Sequence, residues 1–261
     1  MQDEKNSPSG QKENTPMFGK WTIAAIIGIF AILIVILAII TLGSPPGKTT
    51  AADVRTPVPT QTPEKSARPV VDLYVMSFCP YGTQAETVMR PVVDLLGAKT
   101  DISVRYITTV KGATVDSIDS LHGPAEAKED LLQLCIMKSD PEKYWDYLKA
   151  FNNQCYPVWQ NTSRLDSCRK NVTLVLGIDL PKIEACATGA EGLTLVEMDA
   201  AESSAIGASA SPTLFINGVK YAGARTPEAF KQAICRSFDA APSECNTTLS
   251  SASAASSGGC G

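Results

Sequence analysis

The hydrophobic and polar positions of residues 69–245 switch between strand-like and helix-like patterns. Apolar runs predict buried strands over Val70–Met76 and Ile102–Thr108, and Ala85–Leu96 between them carries apolar residues at helical spacing. A strand, a helix and a second strand in this order form a βαβ unit, in which the two strands pair in parallel.

The rest of this region is predicted to be mostly helical over residues 124–206 and then to form a hairpin. Strands are predicted over Thr213–Ile216 and Val219–Ala222, joined by Asn217-Gly218, a pair that tolerates positive φ. A last helix is predicted from about Pro227 to Phe238. Within the helical part, helices are predicted around Lys143–Phe151, Ser163–Leu176 and Leu193–Ala205. This order indicates an α/β chain with a thioredoxin fold that is interrupted by a helical insert.

An uncharged apolar stretch over residues 21–42 predicts one transmembrane anchor. At about 1.5 Å per residue a helix of this length spans a bilayer core of roughly 30 Å. A cleaved signal peptide is the alternative, but the stretch exceeds the usual apolar region of about 7 to 15 residues, and no small-x-small site precedes Gly43.

The segments around the anchor are predicted to lie outside the folded domain. More lysines precede the anchor than follow it closely, which favours a short cytoplasmic tail over residues 1–20 and an extracytoplasmic domain. Residues 43–68 are rich in Pro and Thr and are predicted to be a disordered linker. Residues 246–261 are predicted to be a flexible Ser/Ala/Gly tail that carries Cys260, which leaves residues 69–245 as one domain.

Charge and cysteine content narrow the classes of function. The net charge of −4 offers no basic surface for nucleic acid, so no nucleic-acid partner is expected. Eight cysteines favour an oxidising compartment, and sequons at Asn161, Asn171 and Asn246 agree weakly with that location. Because no Cys-x-x-Cys occurs and His122 is the only histidine, neither a metal site nor another cofactor is predicted.

The strongest candidate for chemistry is Cys79, which follows the first strand and precedes Pro80. Proline suits the first position of a helix, and a cysteine just before it faces unpaired N–H groups and the positive end of the helix dipole. These effects stabilise a thiolate by up to about 2 kcal/mol. A second cysteine would be expected three positions later, where Gly82 stands, so a single-cysteine site is predicted. The alternative is a buried, inert cysteine at a strand end.

Two motifs carry a resemblance to known families. The layout, with Cys79-Pro80 after the first strand and Ser211-Pro212-Thr213 before the hairpin, resembles the DsbA-like branch of the thioredoxin superfamily. The stretch Leu121-His-Gly-Pro-Ala-Glu126, followed by Cys135, is similar to the Cys-Gln-His-Gly-x-x-Glu-Cys signature of the gamma-interferon-inducible lysosomal thiol reductase family. The chain departs at three positions where these families have cysteines, namely Gly82, Ser120 and Ala127.

The resemblance implies a substrate groove beside Cys79. A cis Ser211–Pro212 bond would lie against that cysteine, and Ser211 and Thr213 would face an extended substrate. Pro80 and Tyr81 are predicted at the edge of the groove, although an aromatic residue there can also belong to the core. The alternative for Pro212 is a plain strand start with a trans peptide bond.

The remaining cysteines are predicted mainly to form disulfides. The preferred pairs are Cys135–Cys186, Cys155–Cys168 and Cys235–Cys245, although sequence alone leaves other pairings open. These pairs leave Cys260, which is predicted to resolve mixed disulfides formed at Cys79, with an external thiol as the alternative. His122 is a candidate general base or, alternatively, a capping histidine. Glu126 is predicted to be a first-turn carboxylate favoured by the helix dipole.

Together these features predict a membrane-anchored, extracytoplasmic thiol-disulfide oxidoreductase. Its partners would be protein or peptide thiols and disulfides, the membrane through residues 21–42, and a membrane redox partner as a further candidate. The sequence does not set the direction of electron flow, because that depends on the reduction potentials of the site and its partner. The alternatives are a non-enzymatic peptide-binding module and a structural surface protein in which Cys79 is permanently bridged.

Overall fold

The computed structural model describes residues 63–254. No helix within this range is long and apolar enough to cross a membrane. The predicted anchor at residues 21–42 and Cys260 both lie outside the described residues.

A four-stranded mixed sheet forms the centre of the domain. The strand β1 (Val70–Val75) pairs in parallel with β2 (Asp101–Tyr106), and the helix α1 (Pro80–Leu96) connects them. On its other edge β1 pairs antiparallel with β5 (Thr213–Ile216), which turns through Asn217 and Gly218 into β6 (Val219–Lys220). The predicted βαβ unit and hairpin are therefore confirmed, and both turn residues have positive φ.

The predicted helical insert is also confirmed, and it contains more elements than the pattern indicates. The two short strands β3 and β4 pair with each other and precede the insert. The elements not yet given are β3 (Thr109–Val110), β4 (Ile118–Asp119), α2 (Pro124–Ser139), α3 (Pro141–Ala150), α4 (Thr162–Leu176), α5 (Leu180–Thr188), α6 (Ala190–Ile206) and α7 (Pro227–Arg236). The periodicity did not predict β3, β4 or α5, which are short.

Local sequence explains where several helices begin and end. The side chain of Asn161 accepts the backbone N–H of Arg164 and so caps α4, which ends at Gly177 in the left-handed region. Thr226 caps α7 in the same way. The helix α1 begins at Pro80 rather than at Ala85, because proline at the first position needs no acceptor for an N–H group.

The three disulfides expected from the sequence are present, which confirms their pairing. Cys135–Cys186 joins α2 to α5, Cys155–Cys168 joins α4 to the turn before it, and Cys235–Cys245 joins the end of α7 to the following segment. The helix α2 is buried on nearly all sides, so its links to its neighbours lie in the core of the insert.

The segment 247–254, which the sequence predicts to belong to a flexible tail, lies along α7 and reaches α1. The backbone N–H of Leu249 donates to Glu228 Oε2 at 2.6 Å, and the side chain of Gln84 donates to the carbonyl of Ala254. Leu249 and Ala254 also pack against the hydrophobic core. This segment therefore leads the chain toward the amino-terminal half of α1.

Of the disulfides Cys135–Cys186 and Cys235–Cys245, the one that closes the longer loop should contribute more to stability. The sequence separation is 51 for Cys135–Cys186 and 10 for Cys235–Cys245. Loop-closure entropy then predicts a loss of about 4 kcal/mol for Cys135→Ala/Cys186→Ala and about 3 kcal/mol for Cys235→Ala/Cys245→Ala. Urea unfolding of both double variants and the parent protein measures these losses. An equal or reversed order would contradict the loop-entropy explanation.

Candidate functional site

Cys79 lies at the amino-terminal end of α1, where the chain leaves β1. It is the residue that precedes the first helical residue, its backbone is extended, and its side chain is fully buried. Its backbone N–H donates to the carbonyl of Met76 at 3.0 Å, and its own carbonyl accepts the N–H of Thr83 at 3.0 Å. Cys79 is disulfide-bonded, and the six other cysteines of the described residues pair among themselves.

The loop before β5 packs directly against this cysteine. Cys79 Sγ lies 3.5 Å from the carbonyl oxygen of Ser211, and the Ser211–Pro212 peptide bond is cis, as the sequence resemblance implied. Ser211 Oγ accepts the backbone N–H of Met76 at 2.9 Å. The loop and the end of β1 are therefore joined beside Cys79.

The other predicted substrate-facing residues divide into exposed and buried ones. Tyr81 is 37% exposed and lies at the edge of the site. Pro80 is buried as the first residue of α1. Thr213 is also buried, and its hydroxyl donates to the carbonyl of Ala210 at 2.6 Å. That Thr213 faces a substrate stays a prediction, and its hydroxyl group is occupied by this hydrogen bond.

Gly82 occupies the place where related sites have a second cysteine, and the structure leaves no room there for a side chain. A Cβ atom on Gly82 would lie 2.7 Å from Ser211 Oγ and 3.0 Å from the carbonyl oxygen of Met76. Both distances are shorter than ordinary van der Waals contacts. Gly82 therefore leaves the space that the Ser211 hydroxyl group occupies.

A buried carboxylate from the helical insert holds the residue before Cys79. The backbone N–H of Phe78 donates to Glu126 Oε1 at 2.8 Å, and Glu126 is fully buried in the first turn of α2. The backbone N–H of His122 donates to Glu126 Oε2 at 2.9 Å, and His122 Nδ1 lies 2.8 Å from Oε1. Glu126 therefore does more than interact with the helix dipole.

A second buried carboxyl group, that of Asp130, lies one turn further along α2. It accepts hydrogen bonds from the hydroxyl groups of Ser77 and Ser120. Burial, and after it the nearby charge of Glu126, raises the pKa of Asp130 well above its usual range. The hydrogen bond from Ser77 to Asp130 fixes the position of Ser77 in the turn that leads to Cys79.

Aromatic rings complete the surroundings of the site. Phe78 is buried and stacks on Trp159 with a centroid distance of 4.8 Å. Trp159 also makes an edge contact with the ring of His122 at 5.8 Å. The imidazole is therefore fixed between Glu126 and this aromatic pair.

One further carboxyl group is buried on α1 itself. Burial raises the pKa of Glu86 to about 8, against the opposing effect of the hydrogen bond that Asn152 donates to it at 2.6 Å. Glu86 is thus mainly neutral at pH 7.

None of the described residues forms a His, Cys, Asp or Glu group that could hold a metal ion.

Sequence analysis missed the roles of Asp130, Ser77 and the Ser211 hydroxyl. A signal was available for the carboxylates, since α2 carries buried polar residues at helical spacing, namely Glu126, Glu129, Asp130 and Gln133. Such a stripe normally indicates a solvent-exposed face. Here it lies inside because neighbouring parts of the domain cover nearly all of α2.

Several solved structures superimpose on this chain, and one of them is a thiol-disulfide oxidoreductase by its name. The MdbA protein of Actinomyces oris superimposes with a TM-score of 0.52 at 12% identity, covering 71% of this chain and 84% of that one. The reduced DsbA of Mycobacterium tuberculosis gives 0.47 at 18% identity, covering 68% and 86%, respectively. The oxidised BdbD of Bacillus subtilis gives 0.49 at 16% identity, covering 66% and 88%. At 12% identity the superposition on the MdbA protein shows the fold alone, which is a DsbA-like thioredoxin fold with a helical insert.

A match to a protein-family model identifies the family of this chain. The model of the vacuolar sorting receptor thioredoxin-like domain matches residues 105–235, about half of the chain, and the matched range begins after Cys79. No curated protein matches the chain in sequence. The chain belongs to the family of the vacuolar sorting receptor thioredoxin-like domain.

Proposed function

We propose that this protein is a membrane-anchored, extracytoplasmic thiol-disulfide oxidoreductase that acts on protein or peptide disulfides through Cys79. The observation that carries the proposal is the position of Cys79 at the amino terminus of α1, with Sγ 3.5 Å from the Ser211 carbonyl. The helix terminus stabilises a thiolate at this place. The cis-proline loop beside it supplies backbone groups for an extended substrate.

The reaction would proceed by two steps of thiol-disulfide exchange. The Cys79 thiolate attacks one sulfur of the substrate disulfide, the substrate S–S bond breaks, and the other substrate sulfur leaves as a thiolate that takes up a proton. A second thiol then attacks the mixed disulfide and releases the reduced substrate. Two electrons pass from the two thiols to the substrate, and the reverse sequence oxidises it.

Cys260 is proposed as that second thiol. The segment 247–254 runs toward α1, where Gln84 in the second turn holds the carbonyl of Ala254. Cys260 lies six residues beyond Ala254, and six extended residues reach at most about 20 Å. The disulfide-bonded state of Cys79, beside three disulfides that account for the other described cysteines, supports this assignment.

A structural role for Cys79 is the second candidate, and its complete burial favours it. A cysteine that is buried and bridged, without a neighbouring thiol at position 82, can serve as a permanent cross-link. The two functions differ in how easily the bond is reduced. A structural disulfide resists mild reductants, whereas a catalytic one is reduced at the potential of its partners.

The cysteine variants provide the direct test of the proposed function. After mild reduction, the parent protein should reduce a model peptide disulfide, and Cys79→Ser should fall to the rate of the buffer alone because the attacking sulfur is gone. Cys260→Ser should keep the first exchange and accumulate covalent complexes with substrate. Non-reducing electrophoresis and mass spectrometry measure these complexes.

Cys79→Ser serves as the matched control for trapping, because it should form no complex. If Cys260→Ser traps no more substrate than the parent protein, the tail does not resolve Cys79. If Cys79 stays bridged under reductants that open exposed disulfides, the structural role is correct instead.

Restoring a second cysteine at position 82 should destabilise the site rather than repair it. The Cβ atom of Gly82→Cys would meet Ser211 Oγ and the Met76 carbonyl, and such overpacking costs about 1 to 3 kcal/mol. Gly82→Ala should show a similar loss. Ser211→Ala and Gly82→Ala/Ser211→Ala complete a double-mutant cycle. Urea unfolding should show that the double variant loses less stability than the two single variants lose together. Strict additivity would show that the two positions are not coupled.

The membrane topology has its own test. Protease added to intact cells should release a fragment that begins within residues 44–62, because the composition predicts an unprotected linker there. The cut should not fall beyond Ser66, whose backbone is hydrogen-bonded to Ser237 and Asp239. Disrupted cells are the control. Cleavage in disrupted cells only would mean that the domain faces the cytoplasm.

A further inference from the structure

A pocket between α1 and α3 contains a buried carboxyl oxygen that has no hydrogen-bond partner. Its volume is about 250 Å³, and Glu86 lines it from α1 with an exposed fraction of only 3%. One oxygen of this carboxyl group, Oε2, accepts a hydrogen bond from Asn152 Nδ2 at 2.6 Å. The other, Oε1, is buried without a partner among residues 63–254. Because a buried polar atom without a partner is costly, this oxygen points to a ligand.

The backbone of α1 offers a second acceptor on a residue of the same pocket. Pro91 lies inside the helix and has no N–H group, so the carbonyl of Thr87, four residues earlier, lacks its usual helical donor. Thr87 and Pro91 both line the pocket. A ligand with several N–H groups would therefore match the acceptors of Glu86 and Thr87.

The wall that α3 contributes to the pocket is aromatic and apolar. Trp145 and Leu148 line it, the first half-buried and the second buried. An indole face attracts a cation, and an apolar side chain packs against the carbon atoms of a ligand. The volume lies slightly below the range of about 300 to 1,000 Å³ that is usual for drug-sized ligands, so the pocket suits a small molecule.

We propose that this pocket binds a small organic cation, namely a protonated primary amine whose ammonium group donates to Glu86 Oε1 and whose apolar part packs against Trp145 and Leu148. An ammonium group carries three N–H donors and no acceptor, which fits a site that offers acceptors. The inference does not depend on the proposed role of Cys79, because none of these contacts involves that cysteine.

The other charged groups of the pocket leave Glu86 as the carboxyl group that lacks a cation. The guanidinium of Arg90 contacts the carboxylates of Asp94 at 2.8 Å and Asp146 at 2.6 Å, so its charge is already balanced. Lys149 also lines the pocket, but its side chain is exposed, so water and salt screen its repulsion of a bound cation. Among residues 63–254, Glu86 contacts a neutral amide group and no cation.

The ionisation of Glu86 gives the binding a pH dependence of known sign. Burial raises the pKa of this carboxyl group to about 8, the hydrogen bond from Asn152 opposes that rise, and the charge of Glu129 adds to it. An ammonium group at Oε1 would favour the carboxylate. The amine therefore binds more tightly as the pH rises through about 8, and at pH 7 its binding releases the proton that Glu86 holds.

Neighbouring titratable groups on the other elements do not reproduce this pH dependence. Glu129 on α2 is paired with Arg169 on α4 at 2.5 Å. Tyr106 on β2 and Tyr144 on α3 have pKa values that burial raises well above their usual range, so both stay neutral at pH 7 and pH 8. Among these groups, Glu86 is the one that titrates near pH 8.

Isothermal titration calorimetry of the full-length protein with benzylamine as the probe tests the inference. At both pH 7 and pH 8 this probe is mainly an ammonium ion. Its association constant should rise about fivefold from pH 7 to pH 8, because the ionised fraction of a carboxyl group with a pKa of about 8 rises by that factor. Titrations at pH 7 in two buffers of different ionisation enthalpy should show the release of nearly one proton per bound benzylamine.

Benzyl alcohol, which has a similar shape without the charge, is the control ligand and should bind at least about tenfold more weakly at pH 8. Glu86→Gln should weaken benzylamine binding at pH 8 by at least about tenfold and remove its pH dependence, because an amide side chain cannot ionise. Asp94→Asn is the matched control variant, since it removes a carboxylate of the same helix and pocket that already has a partner. It should bind benzylamine within about threefold of the parent, with the same pH dependence.

Absence of saturable benzylamine binding at pH 8 would overturn the inference, as would equal affinity for benzyl alcohol or unchanged binding in Glu86→Gln. Circular dichroism shows whether each variant folds. If Glu86→Gln does not fold, proton release by the parent protein decides the question. Binding at pH 7 without the release of a proton would show that Glu86 does not receive the ammonium group.

Discussion

The buried turn between β1 and α1 must find acceptors for its backbone N–H groups, and the rest of the site depends on this constraint. A buried N–H without a partner is costly, and the helix starts too soon after the strand for a wide turn. Cys79 donates to the Met76 carbonyl, Met76 donates to Ser211 Oγ, and Phe78 donates to Glu126. The turn therefore draws together the sheet, the cis-proline loop and the helical insert, and Cys79 is placed where the three meet.

This constraint explains which parts of the structure were predictable. Apolar periodicity predicted the βαβ unit, the insert and the hairpin, because each buries a face with a characteristic spacing. Proximity in the predicted layout identified the three disulfide pairs. The acceptors of the turn were not predictable, since Ser211 is separated from Met76 by 135 residues and Glu126 from Phe78 by 48. No periodicity connects side chains over such distances. A polar stripe on α2 indicated only that some carboxylates share a face.

The same contacts explain why a single cysteine remains at the start of α1. A hydroxyl group at Ser211 takes the space that a side chain at position 82 would need, and that hydroxyl satisfies the Met76 amide. A two-cysteine site would therefore require another acceptor for Met76 as well as a smaller residue at position 211. Gly82, the Ser211 hydroxyl and the Met76 amide therefore depend on one another. The absence of a second thiol at position 82 follows from these contacts of the turn.

A site with one thiol on the helix needs its second thiol from elsewhere, and the chain itself offers a route. The disulfide Cys235–Cys245 anchors the segment after α7, and hydrogen bonds to Glu228 and Gln84 then guide residues 247–254 toward α1. Cys260 then lies six residues beyond Ala254. Because loop closure becomes less costly as the loop shortens, this path would favour the proposed resolution by Cys260 over that by a tail attached only at Cys245. A disulfide between Cys79 and Cys260 would also cover Cys79 when no substrate is present. Release of the substrate and protection of the Cys79 thiol would then both depend on the carboxy-terminal segment.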